Sequence, residues 1–228
     1  MSKLVSYECS GGVGTITMDD GKVNAMSMAM MGELNAALDQ AQADRAVVLW
    51  TGRPGVFSAG FDLAVFKQGA EPLREMLRAG AELNLRVLSF PTPLVVACSG
   101  HAIAMGSFLL MSTDVRIGVE GPFRIGMNEV AIGLTLPYFA VEIARQRLNP
   151  AYLNRAANLA EMYSPAEAIA PGFLDRVVPP DQLLDDARKT AAALCKLDMT
   201  AHIGSKLRVK APALKALREA IDTELSGS

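Results

Sequence analysis

Glu129 stands alone as an acid within Gly126-Met127-Asn128-Glu129-Val130-Ala131-Ile132-Gly133, a run of apolar residues and glycines. A carboxyl group held among such neighbours loses hydration. That loss disfavours its charged form and lifts its pKa toward the range where a base can take up and return a proton near neutrality. A loop glutamate that faces water or caps a nearby N–H has the same local sequence, so the residue type alone leaves both readings open. Two other stretches offer complementary chemistry: Val56-Phe57-Ser58-Ala59-Gly60-Phe61-Asp62-Leu63 and Gly100-His101-Ala102-Ile103-Ala104-Met105-Gly106. Little side-chain bulk guards the backbone in either. Main-chain N–H groups there can point at a ligand oxygen, and a helix starting near Ala104 adds its positive end. The chemistry expected is an oxyanion hole.

Other chemistry finds less support. Asp62 is read as a brace for its own loop rather than a base. His101, beside Gly100, is read as a hydrogen-bonded structural residue, and His202 has no partner in view. Ser58, Ser99 and Ser107 lie near the special loops, yet none stands in a G-x-S-x-G elbow. Gly52-x-x-Gly55 lacks the remainder of a phosphate-binding loop. Cys9, Cys98 and Cys195 are odd in number and without metal or disulfide spacing, so no metal site is expected and a reducing cytoplasm fits. The net charge of −2 over 228 residues provides no broad basic field; neither nucleic acid nor a membrane is the expected partner. Apolar runs are broken by charge before they reach membrane-spanning length, and the first residues enter a strand pattern at once, so no leader is expected. Hydrophobic residues make up 50% of the chain and 12 are Met, which suits oligomer contacts or an adaptable acyl cavity.

The elements that must position these loops follow from periodicity. Leu4 to Glu8 and Val13 to Met18 flank Ser10-Gly11-Gly12 as a hairpin. Ser27 is a plausible N-cap for a helix carrying Met31, Leu34, Leu38 and Ala41 at helical spacing. Ala46 to Trp50 and Pro93 to Cys98 are short apolar runs that read as buried strands, each delivering the chain to one special loop. A helix from about 72 to 88 separates them and stops at Phe90-Pro91-Thr92-Pro93. The apolar stretch 107–111 should be buried. Strands are expected at 113–119, 123–125 and 174–178. Further helices are expected from Pro137 to about Leu148 and at about 151–161, 165–170, 181–195, 200–208 and 212–225. The recurring strand, strand, helix unit hints at a spiral, with a main domain over 1–195 and a helical C-terminal region over 196–228.

FSAGFDL, GHAIAMGSFLLMSTDVRI and GMNEVAIGLTLP, together with the earlier VNAMS and the later SPAEAIAPGFLDRVV, resemble the crotonase (enoyl-CoA hydratase/isomerase) superfamily over roughly residues 3 to 195. The resemblance implies an α/β spiral of repeated β-β-α units whose helical C-terminal region drives formation of a homotrimer or a dimer of trimers. It further implies that the N–H groups of Phe61 and Met105 bind a thioester oxygen. Coenzyme A, entering as part of the substrate rather than as a resident cofactor, would contact Val23, Ala25 and the loop Ala59, Gly60, Phe61, Asp62 and Leu63. Lys22 is the best-placed cation for its phosphates, although a solvated loop lysine accounts for it as well. Lys206 and Lys210 could reach a neighbouring subunit's ligand, although an exposed basic helix face is the commoner explanation.

The departures from the family pattern are informative. Hydratases of this family place one glutamate at the position of Glu129 and another where this chain has Phe108, and the usual triple glycine of the second loop is Ala104-Met105-Gly106 here. Adding water across a 2-enoyl thioester normally uses two carboxyl groups, whereas moving a double bond from C3 to C2 needs one base that removes a proton at C2 and returns it at C4. The segment around Asn128 and Glu129 resembles that of Δ3,Δ2-enoyl-CoA isomerases, in which Asn128 would orient the carboxyl or the acyl group. An isomerase is therefore expected. The alternatives are a hydratase, a thioester hydrolase of the same family, or a non-catalytic acyl-CoA-binding subunit.

Overall fold

The computed structural model describes residues 3–226. Strand β1 (Val5–Ser10) and strand β2 (Val13–Met18) form the expected hairpin, followed by α1 (Met28–Ala43), whose Ser27 side chain accepts a hydrogen bond from the Met30 N–H. Three further strand pairs follow, each leading to a helix: β3 (Val47–Thr51) and β4 (Gly55–Ser58) to α2 (Ala70–Leu88), β5 (Leu94–Cys98) and β6 (Gly100–Ile103) to α3 (Met105–Ser112), β7 (Val115–Val119) and β8 (Ile125–Gly126) to α4 (Tyr138–Arg147). The first strand of each of these pairs joins a six-stranded sheet, ordered β1-β2-β3-β5-β7-β9 with β9 at Arg176–Val178, and the second joins a three-stranded sheet, β4-β6-β8. Apart from the hairpin, every strand pairing within the sheets is parallel. The chain thus winds as a spiral of β-β-α turns, and the special loops leave adjacent turns of the smaller sheet.

Burial explains why the long-sheet strands read as unbroken apolar runs. A parallel strand covered on both faces has no polar side to show. Val48, Trp50, Leu94, Val96 and Cys98 enter the main core with α1, α2 and α3. The alternate residues Val47, Leu49, Val95 and Ala97 pack against Leu183, Ala187 and Ala191 of α6 (Leu183–Leu194). The smaller sheet is less legible. Gly55 to Ser58 and Gly100 to Ile103 look like turn chemistry, yet both are strands.

Three helix expectations need correction. Residues 165–170 form turns rather than a helix, and α5 (Pro150–Asn158) ends before the expected 161. The two segments 200–208 and 212–225 are one helix, α7 (Met199–Glu224), with Pro212 inside it. Proline at 212 removes one intrahelical N–H, but 212 and the freed Arg208 carbonyl's residue are both exposed, so water can satisfy that carbonyl. Of the expected strand 123–125 only Ile125 is extended, as the start of β8.

Strand β9 (Arg176–Val178) closes the long sheet next to a buried ion network. Arg116 is 1% exposed, and its Nη2 donates to both oxygens of Asp175 at 2.6 and 2.8 Å. Arg147 joins through Nη2 at 2.7 Å. Asp175→Asn would leave the Arg116 guanidinium buried without its counter-charge, and breaking such a pair costs about 3–5 kcal/mol. Chemical denaturation should show a loss of that order.

Candidate active site

The loop after β4 is zipped to residues 23–26. Ala59 N–H donates to the Val23 carbonyl at 3.0 Å, Met26 N–H donates to the Gly60 carbonyl at 2.8 Å, and Phe61 bridges Met26 in parallel. Asn24, fully buried with a φ of 50°, pins both strands of this zipper through Nδ2 to the carbonyls of Met18 and Phe57, each at 3.1 Å. Asp20 accepts from the N–H groups of Lys22, Asn24 and Ala25. Burial pushes the Asp20 carboxyl up, but those donated hydrogens outweigh it and hold the group below the usual carboxylate range. Neither Asn24 nor Asp20 stood out in the sequence, because a buried amide or turn carboxylate has meaning only through its tertiary partners.

This pairing leaves the Phe61 N–H outside the loop hydrogen bonds. Its counterpart comes from α3. Met105 is the first residue of that helix, so its N–H has no intrahelical acceptor, while Ser107 and Phe108 N–H groups turn back to the Ala104 carbonyl at 2.8 and 3.1 Å. The positive φ of this turn falls on Ala104, with φ 51° and ψ −122°, and not on Met105. Gly60 packs directly on this turn: a Cβ there would lie 2.9 Å from Ala104 Cβ, 3.1 Å from the Ile103 carbonyl oxygen and 3.6 Å from the Met105 nitrogen. The two loops therefore meet at Gly60.

Glu129 faces the same place. It is 7% exposed, and its Oε2 is buried with no hydrogen-bond partner. Burial pushes its pKa up to about 7, and only its own backbone N–H pulls in the other direction. It neither caps the short 3-10 turn Val130–Ile132 nor faces water. Glu129 lines a cavity of about 250 Å³ with Asn128, Ala59, Phe61, Ala104 and Phe108. Leu63, Phe66, Leu73 and Leu77 contribute an apolar wall. Phe108 is 1% exposed and stands edge-on to Phe139 at 5.9 Å. Glu224 also lines this cavity, but it is exposed and its Oε2 accepts the Tyr138 N–H at the start of α4. A larger cleft, about 490 Å³, opens beyond the ends of β2, β3, β5 and β7 around Thr17, Thr51, Ser99 and Val119. Its lining holds no buried side-chain polar atom without a partner among the described residues.

The remaining sequence candidates divide clearly. Leu63 and Val23 are exposed at 63% and 49%, and Lys22 is exposed on the turn beside Val23, its carbonyl held by Arg53 Nη1 at 2.8 Å. Ala25 lies half-buried on the zipped segment. Asp62 braces its loop by accepting from the Ala64 N–H at 3.0 Å. His101 accepts the Arg124 N–H through Nδ1 at 3.0 Å and packs edge-on to Phe123. Lys206 and Lys210 do not form a free basic face. Lys206 is 7% exposed and paired with Asp114 at 2.8 Å, and Lys210 Nζ donates to Gln146 at 2.7 Å, so both tie α7 to its own chain. No group of His, Cys, Asp and Glu side chains able to hold a metal occurs among the described residues, nor is any helix there long and apolar enough to cross a membrane.

The family model for enoyl-CoA hydratase/isomerase matches residues 8–226, and the chain belongs to that family. A crystal structure of an enoyl-CoA hydratase/isomerase family protein from Pseudomonas syringae is 48% identical, with a TM-score of 0.96, covering 97% of this chain and 96% of that one. The apo enoyl-CoA isomerase of Mycobacterium tuberculosis is 44% identical with a TM-score of 0.93, covering 97% of each chain. Mouse mitochondrial enoyl-CoA delta isomerase 1 is 32% identical over 190 residues, which are 81% of this chain and 66% of the mouse protein. The chain therefore spans just under two thirds of that relative, and the spiral is the crotonase fold.

Proposed function

We propose that this protein is a Δ3,Δ2-enoyl-CoA isomerase. The observation that carries the reading is a single sheltered carboxyl, Glu129, in a cavity also lined by Phe108, a side chain with no proton to give or take. Relatives carry both isomerase and hydratase names, so the chemistry of the cavity has to discriminate between them. Glu129 removes a proton from C2 of a 3-enoyl thioester. The C2–H electron pair moves into a dienolate, whose negative oxygen is met by the Phe61 and Met105 N–H groups. The electrons then return through C4, which takes the proton from Glu129, leaving the double bond between C2 and C3. A positioned base contributes on the order of 10²- to 10⁴-fold, and each oxyanion donor roughly 3–4 kcal/mol. Asn128, beside Glu129, orients the carboxyl or the acyl group. Lys22, Val23, Ala25 and the 59–63 loop contact the coenzyme A moiety, and the C-terminal helix supports a homotrimer or a dimer of trimers.

Incubation with 3-hexenoyl-CoA and, separately, with crotonyl-CoA tests the reading through conjugated enoyl absorbance. A rise with the first and no change with the second is expected. A fall with crotonyl-CoA means hydration, and tight binding without change in either means a non-catalytic binder. Because the base must be ionised, kcat/KM should rise with pH, reach half its maximum near the pKa of about 7 set by burial, and level above it. A rate independent of pH between 5.5 and 8.5, roughly the span over which such a group titrates, would remove Glu129 as the base.

A further inference from the structure

We infer that one turn of α2, through Gly80 and Asn84, positions both main-chain donors of the oxyanion hole. The inference rests on the reading of the Phe61 and Met105 amides given above. Gly80 and Asn84 are four residues apart, so they share one face of the helix. On that face the side chains of both donor residues meet. A Cβ at Gly80 would lie 2.5 Å from Phe61 Cζ, 2.6 Å from Phe61 Cε1 and 3.2 Å from Met105 Cε. The Phe61 ring occupies the space that a side chain at residue 80 would take, with the Met105 methyl beside it.

Asn84 completes the seat. Fully buried, it donates through Nδ2 to the Gly80 carbonyl at 2.9 Å and to Met105 Sδ at 3.3 Å. Its Oδ1 accepts from Ser112 Oγ at 2.8 Å. Met105 and Ser112 are the first and last residues of α3, so one amide holds both ends of the helix whose N-terminus carries the second donor. Leaving such a buried amide unmet is costly, so the two helices keep this register. Gly80 fixes where Phe61 sits, Asn84 fixes where Met105 sits, and the separation of the two N–H groups follows from one rigid element. Neither residue lines the cavity that holds Glu129.

Gly80→Ala tests this, read with 3-hexenoyl-CoA and with p-dimethylaminocinnamoyl-CoA, whose absorbance moves to the red when its thioester oxygen is polarised. The expected result is a fall in kcat of about 10²-fold, the scale of a misplacement near 1 Å, together with loss of the red shift and probe affinity within about threefold of wild type on the same scale of effects. Gly80→Ala/Phe61→Leu, which frees the seat while keeping the residue 61 N–H, should recover most of the kcat and the shift. Weaker binding with the red shift intact would mean that the ring has merely entered the acyl cavity, and would overturn the inference. Failure of the double variant, folded by circular dichroism, to recover the shift would do the same. A wild-type protein that binds the probe without shifting it would instead remove the oxyanion hole itself, and the seat with it.

Discussion

Glu129→Gln is expected to lower isomerase turnover by at least about 10³-fold, within the range a positioned base supplies, while acyl-CoA affinity stays near that of wild type. The amide keeps the shape of the carboxyl and loses the ability to hold a proton between C2 and C4. The same substitution has a second signature, in stability. Burial raises the folded-state pKa of Glu129 from 4.5 to about 7, so the folded chain binds this proton more tightly than the unfolded chain does. Its contribution is fully present below the unfolded value and is lost as pH rises through the folded one. At pH 8 the wild type then carries a penalty of roughly 3 kcal/mol that Glu129→Gln lacks. The variant should be nearly inactive and yet more stable above neutrality, with stability that no longer falls between pH 5 and 7, the window separating the two pKa values. Equal pH dependence in both proteins, followed by urea denaturation, would mean that the carboxyl is solvated.

Gly60→Ala should produce the second large effect. Its φ of 102° lies where an L side chain is strained, and the added methyl meets Ala104 Cβ at 2.9 Å and the Ile103 carbonyl at 3.1 Å. Strain of this kind costs about 1–3 kcal/mol. The functional loss is larger because the methyl separates the Phe61 and Met105 amides, and about 10²-fold in kcat is expected for displacement on the 1 Å scale. A folded Gly60→Ala protein with unchanged kcat would mean that the contact between the two loops does not set the donor geometry.

Much of the site was legible because its signals are local. Glu129 stood out as one acid among apolar neighbours, and burial with an unpartnered Oε2 gives that contrast its physical meaning. The long-sheet strands were readable for a related reason: a strand covered on both faces shows an uninterrupted apolar run, as Val47 to Trp50 does. The smaller sheet was hidden because β4 and β6 begin with glycine and are short, and their pairing depends on close approach rather than on side-chain pattern. A Cβ at Gly100 would fall 2.0 Å from the Gly55 carbonyl, a contact with no trace in local sequence. Asn24 and Asn84 were invisible for the same cause. Each is a buried amide whose partners lie in other elements, at Phe57 for one and at Met105 and Ser112 for the other. The division between 200–208 and 212–225 falls beside Pro212, whose missing N–H and ring disturb one turn, but the exposed Arg208 carbonyl can turn to water and α7 runs on unbroken.

In the proposed reaction one sheltered carboxyl carries a hydrogen from C2 to C4 while two main-chain amides hold the oxygen. The most direct measurement is turnover of 3-hexenoyl-CoA doubly deuterated at C2, in ordinary water, with the product's deuterium located by NMR. The account predicts 2-hexenoyl-CoA bearing deuterium at C4, delivered there by Glu129. A product with no deuterium at C4, made as quickly by Glu129→Gln, would contradict it.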